Sequence, residues 1–320
     1  MAFTFRKAVR ENVGLLIGLA GGTGSGKTFT AMRLAAGIAG DKPFAVIDTE
    51  AGRAKHYADQ FNFDHGDLAA PFSPQAYTEA IIAADQAKYP VIVVDSISHV
   101  WAGDGGVLDM QEQELNRMAG DDWKKREACK MAAWIKPKMA HKHMVQKLLQ
   151  IRAHLILAFR AEEKIEMIRN SEGKMEIVKK KTDTGLDGWV PISEKNLPYE
   201  LTASFLLMAR QPGIPLPIKL QQQHRALFPL DKPITEESGK LIAQWAAGGQ
   251  PKQVTLSEVL AAVDAMTDKA SRGAARKLAE QLTDESDIAA ATNAYNGRVA
   301  ELKAKSAPAK PTLADDHGII

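Results

Sequence analysis

Residues Leu15–Thr28, LLIGLAGGTGSGKT, constrain the chain more than any other stretch. An apolar run passes straight into a glycine-rich loop, and the helix-period run FTAMRLAAGIA follows. The pattern G-x-x-x-x-G-K-[ST] is complete in Gly21, Gly26, Lys27 and Thr28, with Gly22, Thr23, Gly24 and Ser25 between them. Glycines let the backbone fold into a nest whose N–H groups face anionic oxygens, and the following helix adds the positive end of its dipole. Lys27 then reaches the β- and γ-phosphates, and the Thr28 hydroxyl holds Mg²⁺. A glycine-rich turn that merely contained Lys and Thr would need neither flank. The expectation is a strand, a phosphate-binding loop and a helix, with a nucleoside triphosphate and Mg²⁺ bound there.

Two more apolar runs end in carboxylates. Phe44–Ile47 closes on Asp48-Thr49-Glu50, and Val91–Val94 closes on Asp95. Polar groups at the carboxyl ends of parallel strands lie on the edge where open α/β sheets bind ligands. A β-branched run ending in Asp is the form expected of a strand whose carboxylate holds Mg²⁺, and a complete phosphate loop upstream strengthens that reading of Asp95. Glu50 reads either as a general base for the attacking water or as an acidic residue opening the next helix. Ser96 could orient water or metal, or cap a helix.

Composition excludes more than it selects. The chain has 320 residues, with 41 Lys and Arg against 39 Asp and Glu, so overall charge points to no polyanionic partner. Cys129 is the single cysteine, which rules out an intramolecular disulfide or a thiolate metal cluster; it reads as a small apolar residue on a helix. The segment MAFTFRKAVRENV lacks the layout of a secretory signal, and no apolar run is long enough to span a bilayer. A cytoplasmic protein with no membrane partner is expected.

Helices are expected over Pro74–Lys88 and through most of Gly103–Gln150. That insertion turns basic in its second half, at Lys124, Lys125, Arg126, Lys130, Lys136, Lys138, Lys142 and Lys147, with Trp123 and Trp134 interleaved. Such a surface suits a single-stranded nucleic acid, phosphates on the cations and bases on the rings; the alternative is a solvated face with the tryptophans turned inward. His141 and His143 stand two apart, face different ways on a helix and form no metal pair. A fourth core strand, His154–Phe159, leads to Arg160, which could sense the γ-phosphate or pair with Glu162 or Glu163. Lys164–Arg169 and Lys174–Lys181 read as a hairpin, Thr202–Met208 and Ile218–Gln222 as strands, and Glu236–Ala246 as a closing helix. Arg225 and Lys180 are candidates for reaching a neighbouring subunit's nucleotide. Gly248-Gly249-Gln250-Pro251 marks a boundary. The expected domains are therefore a core at 1–248, a linker at 249–255, a helical C-terminal module at 256–303 and a disordered tail at 304–320.

GGTGSGKT, AVIDTE and VIVVDS together resemble the ATPase core of the RecA superfamily. VIVVDSISHVWAGDGGVLD, WIKPKMAHKHMVQKLL and AHLILAFRAEEK are similar, more narrowly, to phage-type RecA-like AAA-family ATPases, which include the Sak-type single-strand annealing ATPases. The likeness spans Gly14–Gly248. It implies an α/β fold with a RecA-like P-loop NTPase core and a mostly parallel sheet. It also implies Lys27 and Thr28 as phosphate and Mg²⁺ ligands, Asp95 as the second magnesium residue and Glu50 as the catalytic base. Where RecA-like proteins commonly carry a Gln that couples γ-phosphate to DNA, this chain has Phe159-Arg160, a departure that argues against RecA-type strand exchange. The function implied is ATP hydrolysis on DNA in phage recombination, annealing or replication; a homo-oligomer is expected, and a single-strand-binding protein or helicase is the partner that the adaptor reading below would recruit. Two other classes share the loop: a small-molecule kinase, and an ATP-gated adaptor whose helical C-terminus recruits a partner.

Overall fold

The computed structural model describes residues 13–171, 173–179, 186, 188–248, 255–280, 282 and 284–305. The first strand, β1 (Leu16–Gly21), is buried along its length and runs through the glycine loop into α1 (Lys27–Ala39). β2 (Phe44–Asp48) follows, then a 3-10 turn at Arg53–Tyr57 and β3 (Phe63–Asp67). β3 has no counterpart in the sequence reading, because FDHGD is a polar, partly exposed edge strand without an apolar run. α2 (Pro74–Gln86) starts on Ser73, whose hydroxyl accepts from the Ala76 N–H. After β4 (Val91–Asp95), the helical insertion divides into α3 (His99–Ala102), α4 (Val107–Ala119), α5 (Trp123–Cys129) and α6 (Ile135–Leu148).

β5 (His154–Glu163) runs past the expected end at Phe159. β6 (Ile165–Arg169) and β7 (Met175–Lys179) form the expected antiparallel hairpin, and Lys180 lies outside the described residues. β8 (Trp189–Pro191) and α7 (Leu197–Glu200) were too short to signal themselves. β9 (Ala203–Met208) and β10 (Gln211–Leu220) come next, then α8 (Glu236–Ala246). β10 begins seven residues earlier than expected and stops at Leu220. Pro212, Pro215 and Pro217 disguise it, and only an edge strand tolerates such a run, since a proline cannot donate to a ladder.

The sheet order is β10–β9–β1–β5–β4–β2–β3, with β8 paired to the far end of β5. Every pairing from β9 to β3 is parallel, while β10 and β8 run antiparallel to their neighbours. This is the expected α/β architecture with a mostly parallel sheet. Both faces are apolar, as helices on both sides require. Ile17, Leu19, Val46, Val93 and Ile156 pack under α1 and α8, while Leu16, Ile47, Ile92, Val94 and Leu157 pack under α2 and α6. Gly37 lets α1 and α8 touch: a Cβ there would overlap the Glu236 carbonyl oxygen and stand 2.7 Å from its carbon. Beside that contact, Arg33 forks onto the Glu236 carboxylate, at 2.6 to 3.0 Å. Register brings Gly21 beside Arg160, and Asp95 beside both Ala158 and Asp48, all on one edge.

Contacts divide the chain into units at Met1–Gly249 and Gln250–Ile320. The second unit comprises α9 (Leu256–Asp264), α10 (Lys269–Ala279) and α11 (Glu285–Lys305) around Val259, Val263, Met266 and Ala275. Reciprocal caps at Thr255 with Glu258, and at Asp268 with Ser271, fix the first two starts. α11 runs to Lys305, past the expected boundary at 303, and the remainder of the expected tail lies outside the described residues, as does most of the expected linker. Among the described residues, no helix is long and apolar enough to cross a membrane.

Candidate functional site

The glycine loop and the ends of β2, β4 and β5 enclose a cavity of about 560 Å³. Gly21, Gly22, Thr23, Gly24, Ser25, Gly26, Lys27 and Thr28 all line it. Gly26 precedes α1 with φ 80°, a left-handed conformation that costs glycine nothing and an ordinary residue roughly 1 kcal/mol or more. Gly21 has no room for a side chain: a Cβ would stand 2.5 Å from the Leu207 carbonyl oxygen. Inside the loop, the Ser25 hydroxyl and the Lys27 ammonium donate to the Gly22 carbonyl, at 2.8 and 3.0 Å. Burial lowers the Lys27 pKa, and the nearby Asp95 and Glu50 carboxylates oppose that shift.

Thr28 donates to the Asp95 carboxylate at 2.5 Å, bringing together the two groups expected to hold Mg²⁺. Burial raises the Asp95 pKa, and the Thr28 hydroxyl opposes the shift. A hard cation bound chiefly through substrate phosphates needs one hydroxyl and one carboxylate at the loop, and this pair fits it. Among the described residues, no cluster of three or more His, Cys, Asp or Glu could hold a metal by itself.

Glu50 is placed by a tight turn. The Asp48 carboxylate accepts the N–H groups of Glu50 at 2.6 Å and Ala54 at 2.9 Å. Burial alone would raise the Asp48 pKa, but these donors and His65 outweigh it, and the pKa is lowered. Ala51 and Gly52 then take φ of 57° and 80°, turning Glu50 and Arg53 toward the same cavity. The Glu50 carboxylate, 8% exposed, meets Arg160 at 2.9 Å and Arg53 at 2.6 Å. The carboxylate that Arg160 engages is thus Glu50, not Glu162 or Glu163. Behind these groups, the Thr49 hydroxyl accepts from the Ser96 N–H at 2.8 Å and lies 2.8 Å from His99 Nδ1, while the Arg160 N–H donates to Ser98 at 2.9 Å. The network ties the ends of β2, β4 and β5 together. Ser96 turns its hydroxyl inward to accept the Ser98 N–H and does not cap α3.

Sequence reasoning missed Arg53, Phe29 and Tyr57, all of which line the cavity. Phe29 meets Tyr57 at 5.7 Å and Phe61 at 5.8 Å, an aromatic wall at the mouth. Only the 3-10 turn aligns Arg53 and Tyr57 with Glu50, and nothing in RAKHY signals that turn. Trp189 also escaped notice; it packs over the loop, 3.1 Å from where a Cβ on Gly22 would be.

None of the candidate DNA-binding residues lines the cavity. Arg126 is bonded to Glu112, Asn116 and the Gly120 carbonyl, cross-linking α5 to α4. Lys136 pairs with Glu114 at 3.0 Å and Lys125 with Asp122 at 3.8 Å, and Lys138 lies over Trp134. Trp134 stacks on Trp101, whereas Trp123 is 71% exposed with Lys124 over its ring. His141 is buried and His143 exposed, Cys129 is half-buried at the end of α5, and Arg225 is exposed on a 3-10 turn, Gln222–Leu227.

Residues 14–192 match the AAA domain family, more than half of the chain, and the protein belongs to that family of P-loop ATPases. Among solved structures, the KaiC-like protein PH0186 from the hyperthermophilic archaeon Pyrococcus horikoshii OT3 is 16% identical. That match covers 56% of this chain and 89% of the other, with a TM-score of 0.27. No curated protein matches the sequence.

Proposed function

We propose that this chain is a Mg²⁺-dependent ATP hydrolase of RecA-like type that acts on single-stranded DNA, in phage recombination, annealing or replication. The observation that carries the hydrolase reading is the convergence of Lys27, Thr28, Asp95 and Glu50 on one 560 Å³ cavity. The loop N–H groups and Lys27 hold the β- and γ-phosphates, and the aromatic wall of Phe29 and Tyr57 offers a face to the base. Mg²⁺, when bound, neutralises charge developing on the phosphates. Thr28 and Asp95 hold it, and Glu50 orients the attacking water and accepts its proton.

The DNA reading is supported by residues 123–150, which carry eight basic residues and one acidic one, with Trp123 presented to solvent beside Lys124. β5 links that function to the nucleotide, because α6, the last helix of that segment, leads directly into β5, and Arg160 on β5 stands at the cavity. Steady-state hydrolysis with and without single-stranded DNA, at two salt concentrations, tests both readings. DNA stimulation that fades with salt and disappears in Glu50→Gln is expected. Turnover indifferent to DNA would overturn the DNA reading, and undiminished turnover in Glu50→Gln would overturn the assignment of the base.

A further inference from the structure

We propose that Arg53 is a terminal-phosphate ligand that restrains Glu50 until a γ-phosphate draws it away. The inference rests on the triphosphate reading above. Glu50 is held by two guanidinium groups on different oxygens: Arg160 bonds Oε1 at 2.9 Å and Arg53 bonds Oε2 at 2.6 Å. The carboxylate is almost fully enclosed at 8% exposed, while the Arg53 side chain is 64% exposed and the Arg160 side chain 48%. The arginines can therefore move without opening the core, and Glu50 cannot. Both guanidinium groups lie close enough to act electrostatically on Lys27, the residue that marks where phosphates sit.

A γ-phosphate offers more anionic oxygens than a carboxylate and takes a guanidinium fork at least as well. Transfer of Arg53 to it frees Oε2 alone, while Arg160 keeps Oε1 and so keeps Glu50 aimed. Oε2 can then take a proton from water as the water oxygen bonds to the γ-phosphorus and the bond to the ADP oxygen breaks; the proton passes on to the released phosphate. ADP presents no γ-phosphate, so Arg53 returns to Glu50. Arg53 thereby gives the site a preference for triphosphate that the loop, which grips both nucleotides, does not supply.

The test compares ATP and ADP affinities of the full chain by calorimetry in chelator, without turnover, beside the kinetics with Mg²⁺. Arg53→Ala is expected to lose roughly 10- to 100-fold in ATP affinity with ADP affinity unchanged, and to lose kcat. Arg53→Lys, which keeps the charge and loses the fork, is expected to recover part of the ATP preference. Equal losses for both nucleotides, or no loss for either, would overturn the proposal while leaving the triphosphate reading intact. Wild-type protein that binds neither nucleotide, or Lys27→Ala binding both as tightly as wild type, would instead bring down the reading on which the proposal rests.

Discussion

His154 makes the fold acid-sensitive in a way that can be isolated. It opens β5, and its Nδ1 accepts the Leu15 N–H at 3.1 Å, a bond that only the neutral ring can make. Burial pushes its pKa from 6.5 down to about 4. The unfolded chain therefore takes up a proton near pH 6.5 that the folded chain refuses until about pH 4. Stability from this residue is fully present above 6.5 and is lost as pH falls through that window. The limiting loss is about 3 kcal/mol, of which about 2 kcal/mol develops between roughly pH 7 and pH 4.5. Burial also lowers the pKa of His99, His141 and His224, so the slope of the wild-type protein mixes four rings. His154→Asn separates them, because the amide oxygen can still accept from Leu15 and does not titrate. All five tryptophans lie between 101 and 245, so their fluorescence in urea reports the first unit alone. The difference in urea midpoint between wild type and His154→Asn is expected to move by roughly 1 M in favour of the variant between about pH 7 and pH 4.5. Parallel losses in the two proteins would refute the argument.

Gly37→Ala should destabilise the first unit by about 1–3 kcal/mol, since the new methyl meets the backbone of Glu236 rather than a movable side chain; a thermal midpoint indistinguishable from wild type would show that α8 can slide aside. Asp95→Asn should abolish the part of nucleotide affinity that depends on Mg²⁺ and leave the metal-free part in place, as calorimetry with and without chelator would reveal. Trp123→Ala should leave the thermal midpoint unchanged, because the ring is 71% exposed, and weaken single-stranded DNA binding by roughly five- to tenfold or more in a fluorescence titration. Unaltered DNA affinity would remove Trp123 from the interface.

What the sequence disclosed, and what it hid, follows from how each element is stabilised. β1, β2, β4 and β5 are buried on both faces and announce themselves as apolar runs, and their polar terminations at Glu50, Asp95 and Arg160 were readable for the same reason. Edge strands have no such obligation. β3 is polar and β10 is dense in proline, so neither carries an apolar period from end to end. Within the cavity, the loop residues are fixed by local pattern, but Arg53 and Tyr57 depend on a left-handed turn at Ala51–Gly52 that composition does not specify. The basic helices show the opposite limit. Their charges are plain in the sequence, whereas the commitment of Arg126 to Glu112 and of Lys136 to Glu114 depends on how α4, α5 and α6 pack.

The position of β1 in the sheet also bears on how the chain is made. It precedes both of its neighbours in the chain by a long way, for these are β5, beginning at His154, and β9, beginning at Ala203. As the chain leaves the ribosome, LIGLAG has no partner on either side until most of the first unit has emerged. An unpaired apolar strand is a template for association with other chains, and pairings of such long sequence separation form slowly. Nascent chains interrupted before Met208 would carry the loop sequence on a sticky, half-bordered strand, and nucleotide-dependent protection from proteolysis should arise only once β9 is complete.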